Sequence, residues 1–285
     1  LATQRLQAVT ALGTGTWASF GRTEGSLTPH DWARSDYQAN DWAAGVDHAV
    51  GDAVVGVAGY KGRTNVSLSR NLGSAKADTW GVGVYGQVPM GSWLASGQVR
   101  YQGGDVDSDR VSSLTGAALR HTQDLEQVSV QAELGRPMAV AQGTWTPFVA
   151  ARHHRLHAGS TQDAGNDVLG LMTQAQTYTE TTARVGTRFE QALAHSTNGT
   201  WWKWDGVVAY ERVTNAADTG LQAAYVGAPT DGFRLEGARL DRNAWVWGLG
   251  LQGGRDATRW FVRWDGERSI QSKAQSVSAG VKIAF

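Results

Sequence analysis

The 285-residue chain contains no cysteine and only 5 prolines, and its 26 basic residues balance 26 acidic residues. The lack of cysteine excludes disulfides, thiolate metal sites and a cysteine nucleophile. The net charge is zero and the basic residues do not cluster into a stripe, so the charge pattern gives no indication of nucleic-acid binding. No run of apolar residues is long enough for a transmembrane helix. A membrane barrel stays open, because each of its strands needs only about ten alternating residues.

Glycine and tryptophan, by contrast, are abundant, with 36 and 13 residues. Tryptophan combines an apolar ring with a polar N–H group and favours membrane–water interfaces. Only residues 1–12 show helical spacing, with Leu6, Val9 and Leu12 on one face. A helix this short is marginal in water, so we expect it to lie against another part of the protein. The sequence starts at Leu1 rather than Met, which is typical of a fragment or a processed product.

From residue 14 onward the apolar pattern has a period of two, which is typical of strands with one apolar and one polar face. Twelve strands are predicted, at 14–24, 37–50, 53–64, 78–88, 92–103, 123–140, 144–158, 177–194, 200–214, 238–253, 257–268 and 273–285. Tight links follow the even-numbered strands. Longer polar loops follow most odd-numbered strands, at 25–36, 65–77, 104–122, 159–176 and 215–237. Short turns at one end and long loops at the other are typical of an up-and-down outer-membrane barrel.

The two faces of the predicted strands differ in chemistry. In strand five, Trp93, Val99 and Tyr101 alternate with Arg100, and other strands show the same opposition. Twelve strands closed into one barrel enclose a space too wide for side chains to fill. We therefore expect the apolar face to contact lipid and the polar face to line a wet lumen. The predicted pore-lining residues are Arg100, Glu133, Arg184, Arg188, Lys203, Asp205, Arg263 and Asp265.

Many tryptophans lie close to the predicted strand ends, which indicates an aromatic girdle at each membrane interface. The predicted periplasmic girdle is formed by Trp17, Trp93, Trp145, Trp202 and Trp260. The opposite girdle is formed by Trp42, Trp80 and Trp245. Tryptophans in the core of a soluble sandwich are the alternative, but that reading does not explain why so many follow the tight turns.

The last ten residues alternate strictly and end on an aromatic side chain. Ser278, Gly280, Ile283 and Phe285 form a pattern that resembles the C-terminal signal of Gram-negative outer-membrane barrels. The resemblance implies that the barrel-assembly machinery recognises these four residues.

The chain as a whole resembles the translocator (β) domain of autotransporters, which belong to type Va secretion. The resemblance is carried by the leading segment with Gln4, Arg5 and Leu6, the first strand GTWASFGRTEG, the strand pair ADTWGVGVYGQVPMGSWLASGQVRYQGGD and the C-terminal signal. It implies an all-β fold, a twelve-stranded antiparallel up-and-down transmembrane β-barrel over residues 14–285. Residues 1–13 are then a pore helix or linker inside the barrel, with Gln4 and Arg5 facing the luminal charges.

The same resemblance implies a function. The protein is expected to export and anchor a covalently linked N-terminal passenger in the Gram-negative outer membrane, without a catalytic site, metal or cofactor of its own. Its expected partners are the barrel-assembly machinery, periplasmic chaperones, outer-membrane lipid and lipopolysaccharide. In some members the helix is cut by cyclisation of an Asn, but residues 1–39 contain no Asn, so that reaction has no substrate in this segment.

Other outer-membrane barrels remain as alternatives: a phospholipase, an omptin-like protease or a small general porin. An enzyme would need His beside Ser or an acid. The only concentration of histidines is His153, His154 and His157, and adjacent residues of a strand point to opposite faces. A metal site there is conceivable, but a solvated barrel rim is the preferred interpretation. The chain also lacks G-x-S-x-G, Walker and H-E-x-x-H motifs.

Overall fold

A computed structural model describes residues 13–29, 33–69, 72–111, 116–141, 143–164, 168, 170–195, 199–216, 219–238 and 241–285. The predicted helix, with Gln4, Arg5 and Leu6, lies outside the described residues. Twelve long strands dominate the fold: β1 (Gly15–Leu27), β2 (Ser35–Val50), β3 (Ala53–Leu68), β4 (Gly73–Met90), β5 (Trp93–Val111), β6 (Ala118–Gly135), β7 (Gly143–Ala158), β8 (Gln176–His195), β9 (Trp201–Asn215), β10 (Asn243–Arg255), β11 (Thr258–Arg268) and β12 (Ser272–Ala284).

Each long strand pairs antiparallel with the next one, and β12 pairs with β1 to close the barrel. The closing seam is in continuous register from Gly15 opposite Ala284 to Leu27 opposite Ser272. The predicted twelve-stranded up-and-down barrel is therefore confirmed. In the described part of the chain, no helix has the length and apolar character needed to cross a membrane.

The two ends of the barrel differ in their connections. At one end the turns are tight, as at Gly51, Gly91 and Asp256, whose φ angles of 59°, 63° and 52° suit two-residue hairpins. Sequence analysis predicts strand six to continue to residue 140, but Pro137 interrupts it because proline cannot donate to the ladder. The short strand Met138–Val140 instead folds back on the start of β7.

The other end carries the longer connections, yet β3 to β6 extend well beyond their predicted ends. Most residues of the predicted loops 65–77 and 104–122 belong to strands. The strands β5 and β6 stay paired from Leu94 opposite Gly135 to Val111 opposite Ala118. Both faces of this extension carry polar side chains, since it projects past the apolar band. The backbone ladder continues while the hydrophobic alternation that reveals a strand disappears.

Two of the long connections fold into a four-stranded sheet that is separate from the barrel sheet. Its strands are Thr161–Gln162, Leu171–Thr173, Leu221–Tyr225 and Ala228–Leu235. The buried Asp163 carboxylate holds the sheet against the barrel: it accepts the Leu171 N–H at 2.7 Å and contacts Arg110 and His121. Burial alone would raise the pKa of Asp163, but these three partners lower it more, so its pKa lies below the usual value.

Candidate functional site

The barrel wall is apolar outside and polar inside. On the outer face, Val130 and Val281 are 44% and 40% exposed, whereas on the inner face Asp205 and Arg263 are 3% and 5% exposed. A continuous apolar exterior of this size is unfavourable in water and is expected in lipid. The predicted placement of apolar side chains outside and polar side chains inside is confirmed, whereas contact of the apolar face with lipid stays a prediction. The lumen becomes the candidate functional site.

One ion network of the inner face is centred on Glu211. This carboxylate accepts from Arg184 Nε at 2.9 Å and from Arg152 Nη2 at 3.1 Å. Elsewhere on the inner face, the Arg100 guanidinium of β5 lies 4.2 Å from the ring centroid of Tyr60 of β3. Glu211 and Arg152 are absent from the predicted pore-lining set, although strand parity alone places both on the polar face.

The inner face also carries pairs that join separate strands. Arg188 of β8 contacts Glu133 of β6 at 3.1 Å and lies 4.9 Å from the ring centroid of Phe148. Lys203 of β9 contacts Glu190 of β8 at 3.0 Å. These groups compensate one another's charge, so the wall presents hydrogen-bond donors and acceptors without a large net charge.

A second network joins β9, β10 and β11. Arg263 contacts Asp205 and, at 2.8 Å, Asp265, while the Gln252 side-chain amide donates to Asp205 at 2.9 Å. A buried guanidinium between two carboxylates is stable only because each donor meets an acceptor.

Gly248 and Gly250 of β10 make this second network possible. A Cβ atom at Gly248 would collide with the side chains of Asp265 and Arg263, and one at Gly250 would collide with Asp205. In the described residues, the groups that approach them are charged side chains of the neighbouring strands.

A third network locks the seam between β12 and β1. Lys282 Nζ donates to Asp47 Oδ2 at 2.6 Å and to the carbonyl oxygen of Gly13 at 2.8 Å. Asp47 also accepts from the Tyr85 hydroxyl, which in turn accepts from Trp17 Nε1 at 2.6 Å. This series of hydrogen bonds therefore connects β12, β1, β2 and β4 through buried polar atoms.

The prediction that Trp17 belongs to the periplasmic girdle is wrong. Trp17 is 5% exposed and points into the lumen, where it packs with Ala58, Tyr85 and Phe261. A second apolar cluster lies on the inner face of β7 and β9, formed by Phe148, Val207 and Ala209. The lumen is thus partly packed with apolar side chains, which a rule of strictly polar interiors misses.

The other predicted girdle tryptophans lie on the outer face. Trp42, Trp80, Trp93, Trp145, Trp202 and Trp245 are exposed there, and Trp260 stacks edge-on against Trp202 at 4.4 Å. Further aromatic pairs link neighbouring strands, such as Trp80 with Tyr101 at 5.7 Å and Tyr210 with Trp245 at 5.4 Å. Their depth relative to lipid stays a prediction.

The histidines of β7 lie on opposite faces, as predicted. His153 contacts the Thr181 hydroxyl at 2.9 Å on the outer face, while His154 faces the lumen near Glu180, at 3.9 Å. Within the part of the chain that the structure describes, no group of three His, Cys, Asp or Glu side chains is arranged to hold a metal ion.

The four predicted assembly-signal residues divide between the two faces of β12. Ser278 is buried in the lumen, and Gly280 lies beneath the ring of Phe261, which a Cβ atom would displace. Ile283 and Phe285 are exposed on the outside, Phe285 at 78%. Two of the four residues therefore have packing roles in the finished barrel, and two offer an apolar outer surface.

Comparison with known proteins yields one family model and a set of similar structures. The model described as autotransporter beta-domain matches residues 11–265. The translocator domain of the autotransporter NalP from Neisseria meningitidis has a TM-score of 0.81 at 17% identity, covering 100% of this chain and 95% of that one. No curated protein sequence matches the chain.

Two further autotransporter structures are similar to the chain. The beta domain of the Bordetella autotransporter BrkA has a TM-score of 0.68 at 14% identity, covering 96% of this chain and 100% of that one. The transport unit of AIDA-I from Escherichia coli has the same score and identity, covering 100% and 97%. At these identities, the likeness to solved structures concerns the fold.

Proposed function

The chain belongs to the autotransporter beta-domain family and is a translocator of the Gram-negative outer membrane, and we propose that its passenger is attached before β1 and leaves the periplasm along the lumen. The hydrogen bond from Lys282 to Gly13 carries this proposal. Lys282 is buried on the inner face, so Gly13, the first described residue, lies on the luminal side of the seam. A segment that continues toward the N-terminus from Gly13 starts within reach of the pore.

We further propose that residues 1–13 form a helix or linker inside the finished pore. The luminal wall suits a polar segment such as one with Gln4 and Arg5, since it presents both carboxylates and guanidinium groups. Buried hydroxyl groups of Ser276 and Ser278 line the same wall next to the seam. Such groups are expected to face polar partners rather than an apolar plug.

The barrel itself is proposed to act without catalysis. A hydrolase needs a His positioned by an acid and close to a nucleophile or water. Among the described residues, His121 does contact an acid, Asp163, at 3.1 Å, but that carboxylate also binds Arg110 and the Leu171 N–H and holds the four-stranded sheet. His153 and His157 contact threonine hydroxyls on the outer face, and His154 lies on the other face. No observation favours the phospholipase, protease or porin alternative over passenger export.

Assembly and lipid partners complete the proposal. Ile283 and Phe285 present an apolar outer edge on the last strand, which supports recognition of the C-terminal signal by the barrel-assembly machinery after delivery by periplasmic chaperones. The apolar band of the outer face is proposed to contact outer-membrane lipid and lipopolysaccharide.

Export is tested with a compact reporter domain placed between a secretion signal and Leu1. Protease added to intact cells should remove the reporter while a periplasmic marker stays protected, and the barrel should keep the anomalous gel mobility of a folded β-barrel. A folded barrel whose reporter stays inaccessible at the surface would contradict the proposed direction of export. The matched control places the same reporter behind the secretion signal without the barrel, and it should remain in the periplasm.

A further inference from the structure

Two cations face each other on the outer surface where the strands emerge at the long-loop end. Arg268 of β11 lies directly opposite Lys273 of β12, and Arg268 is also opposite Trp245 of β10. Direct partners in antiparallel strands lie on the same face, with Cβ atoms about 5 Å apart. Both cations are exposed, and Trp245 belongs to the predicted outer girdle.

Neither cation has an acidic partner among the described residues. Some other cations of the outer face do, such as Arg63 and Lys76, which share Asp78 at 2.6 and 2.8 Å. Glu267 lies beside Arg268 in sequence and also borders the cleft described below, but it has the opposite strand parity and forms no ion pair with either cation in the described residues.

The nearest carboxylates of the outer face are already occupied. Glu24 and Asp36 border the same region as the two cations, but Glu24 is paired with Arg22 at 2.8 Å and Asp36 with Arg34 at 2.7 Å. Like charges directly opposite each other destabilise a strand pair. An external anion bound between the two cations would therefore reduce their mutual repulsion.

An aromatic surface lies on the membrane side of the two cations. Trp264 is four residues below Arg268 on β11, and its ring lies 6.4 Å from that of Trp247. Both rings and both cations border a cleft of about 410 Å³, and the exposed Val277 lies four residues below Lys273 on β12. The cleft thus has a cationic upper end and an apolar lower end.

We propose that this cleft binds a phosphate group of lipopolysaccharide, the phosphorylated glycolipid of the outer leaflet. The phosphate lies between Arg268 and Lys273, and an acyl chain of the same molecule lies against Trp247 and Trp264. Charge complementarity explains the upper end of the cleft. A free phosphate would leave the apolar lower end without a role, which favours a lipid. The site depends on the outer-membrane location of the barrel but not on export.

The test uses the folded full chain in detergent, titrated with lipid A that carries or lacks its phosphates, with binding followed by native mass spectrometry. Wild-type protein should prefer the phosphorylated form. Each cation near an anionic surface contributes about fivefold in affinity, so R268Q/K273Q should bind phosphorylated lipid A roughly thirtyfold more weakly. The matched control R63Q/K76Q removes the same number of positive charges from the outer face, at a place where both cations already contact the Asp78 carboxylate, and it should stay within about threefold of wild type.

Several outcomes would overturn the site. They are unchanged affinity in R268Q/K273Q, an equal loss in R63Q/K76Q, or equal binding of dephosphorylated lipid A. Competition by low millimolar inorganic phosphate would point to a simple anion site instead. Folding of each variant is checked by heat-modifiable gel mobility, and reporter display of R268Q/K273Q is measured separately. Normal display together with lost lipid A binding supports the site, whereas failure of export alone bears only on the proposed function.

Discussion

The buried Lys282–Asp47 pair at the seam allows the sharpest stability prediction. Their side chains are 3% and 0% exposed, and Nζ and Oδ2 lie 2.6 Å apart. Replacing Lys282 by Met leaves the Asp47 carboxylate buried with only the Tyr85 hydroxyl to hydrogen-bond it. Removing one partner of a buried ion pair typically costs about 3–5 kcal/mol, and we expect K282M to fall in that range.

A double-mutant cycle separates the ion pair from packing. In D47N/K282M both charges are gone, while the Asn side-chain oxygen can still accept from Tyr85. We therefore expect the double variant to be less destabilised than the sum of D47N and K282M, with a coupling energy of about 1–3 kcal/mol.

The assay is urea unfolding of the barrel folded in lipid vesicles, followed by tryptophan fluorescence. The control is R22Q, which breaks the half-exposed Arg22–Glu24 pair and should cost at most about 1 kcal/mol. If K282M is no more destabilised than R22Q, or if the two seam substitutions are additive, the seam is not held by this pair.

Three further predictions concern assembly, the pore and the four-stranded sheet. Phe285→Ala should sharply reduce the amount of folded barrel in the outer membrane, because it removes the exposed aromatic end of the signal; normal assembly would refute the assignment of the signal. Deleting residues 1–12 should enlarge the conductance in planar bilayers, and an unchanged current would show that they do not fill the pore. The pKa of Asp163 is lowered in the folded protein. The ionised carboxylate therefore stabilises the fold fully above the unfolded pKa of about 3.9, and this stabilisation is lost as the pH falls from that value through the folded pKa. Limited proteolysis at 170–175 should therefore increase in wild type below about pH 4 but should already be high at neutral pH in D163N, and equal cleavage of both proteins at neutral pH would contradict that role.

Much of the barrel can be predicted from the sequence, because a lipid-facing strand must alternate. Val130 and Glu133, or Val262 and Arg263, differ in face by parity alone, and the structure places them accordingly. The same parity predicts which charges line the lumen. It does not predict which charges pair, since Lys282 reaches Asp47 only through the register of the closed seam.

The failures of sequence reasoning occur where alternation is ambiguous or absent. In β1 both faces carry large apolar side chains, Trp17 on one and Phe20 on the other, so nearness to a strand end was a poor guide to the direction of Trp17. In the outer parts of β5 and β6, polar side chains such as Asp107 and Arg110 occupy both faces. There the strand is defined by backbone pairing, which has no apolar signature in the sequence.

The central claim is that apolar side chains face lipid while polar ones face the lumen, and two neighbouring residues of β6 test it most directly. The chain has no native cysteine, so V130C and S129C can each carry one fluorophore in the barrel reconstituted in lipid vesicles. The account predicts quenching of the label at position 130 by lipid-attached quenchers and little quenching of the label at 129. Strong lipid quenching at 129, with the label at 130 reached only by water-soluble quenchers, would contradict it.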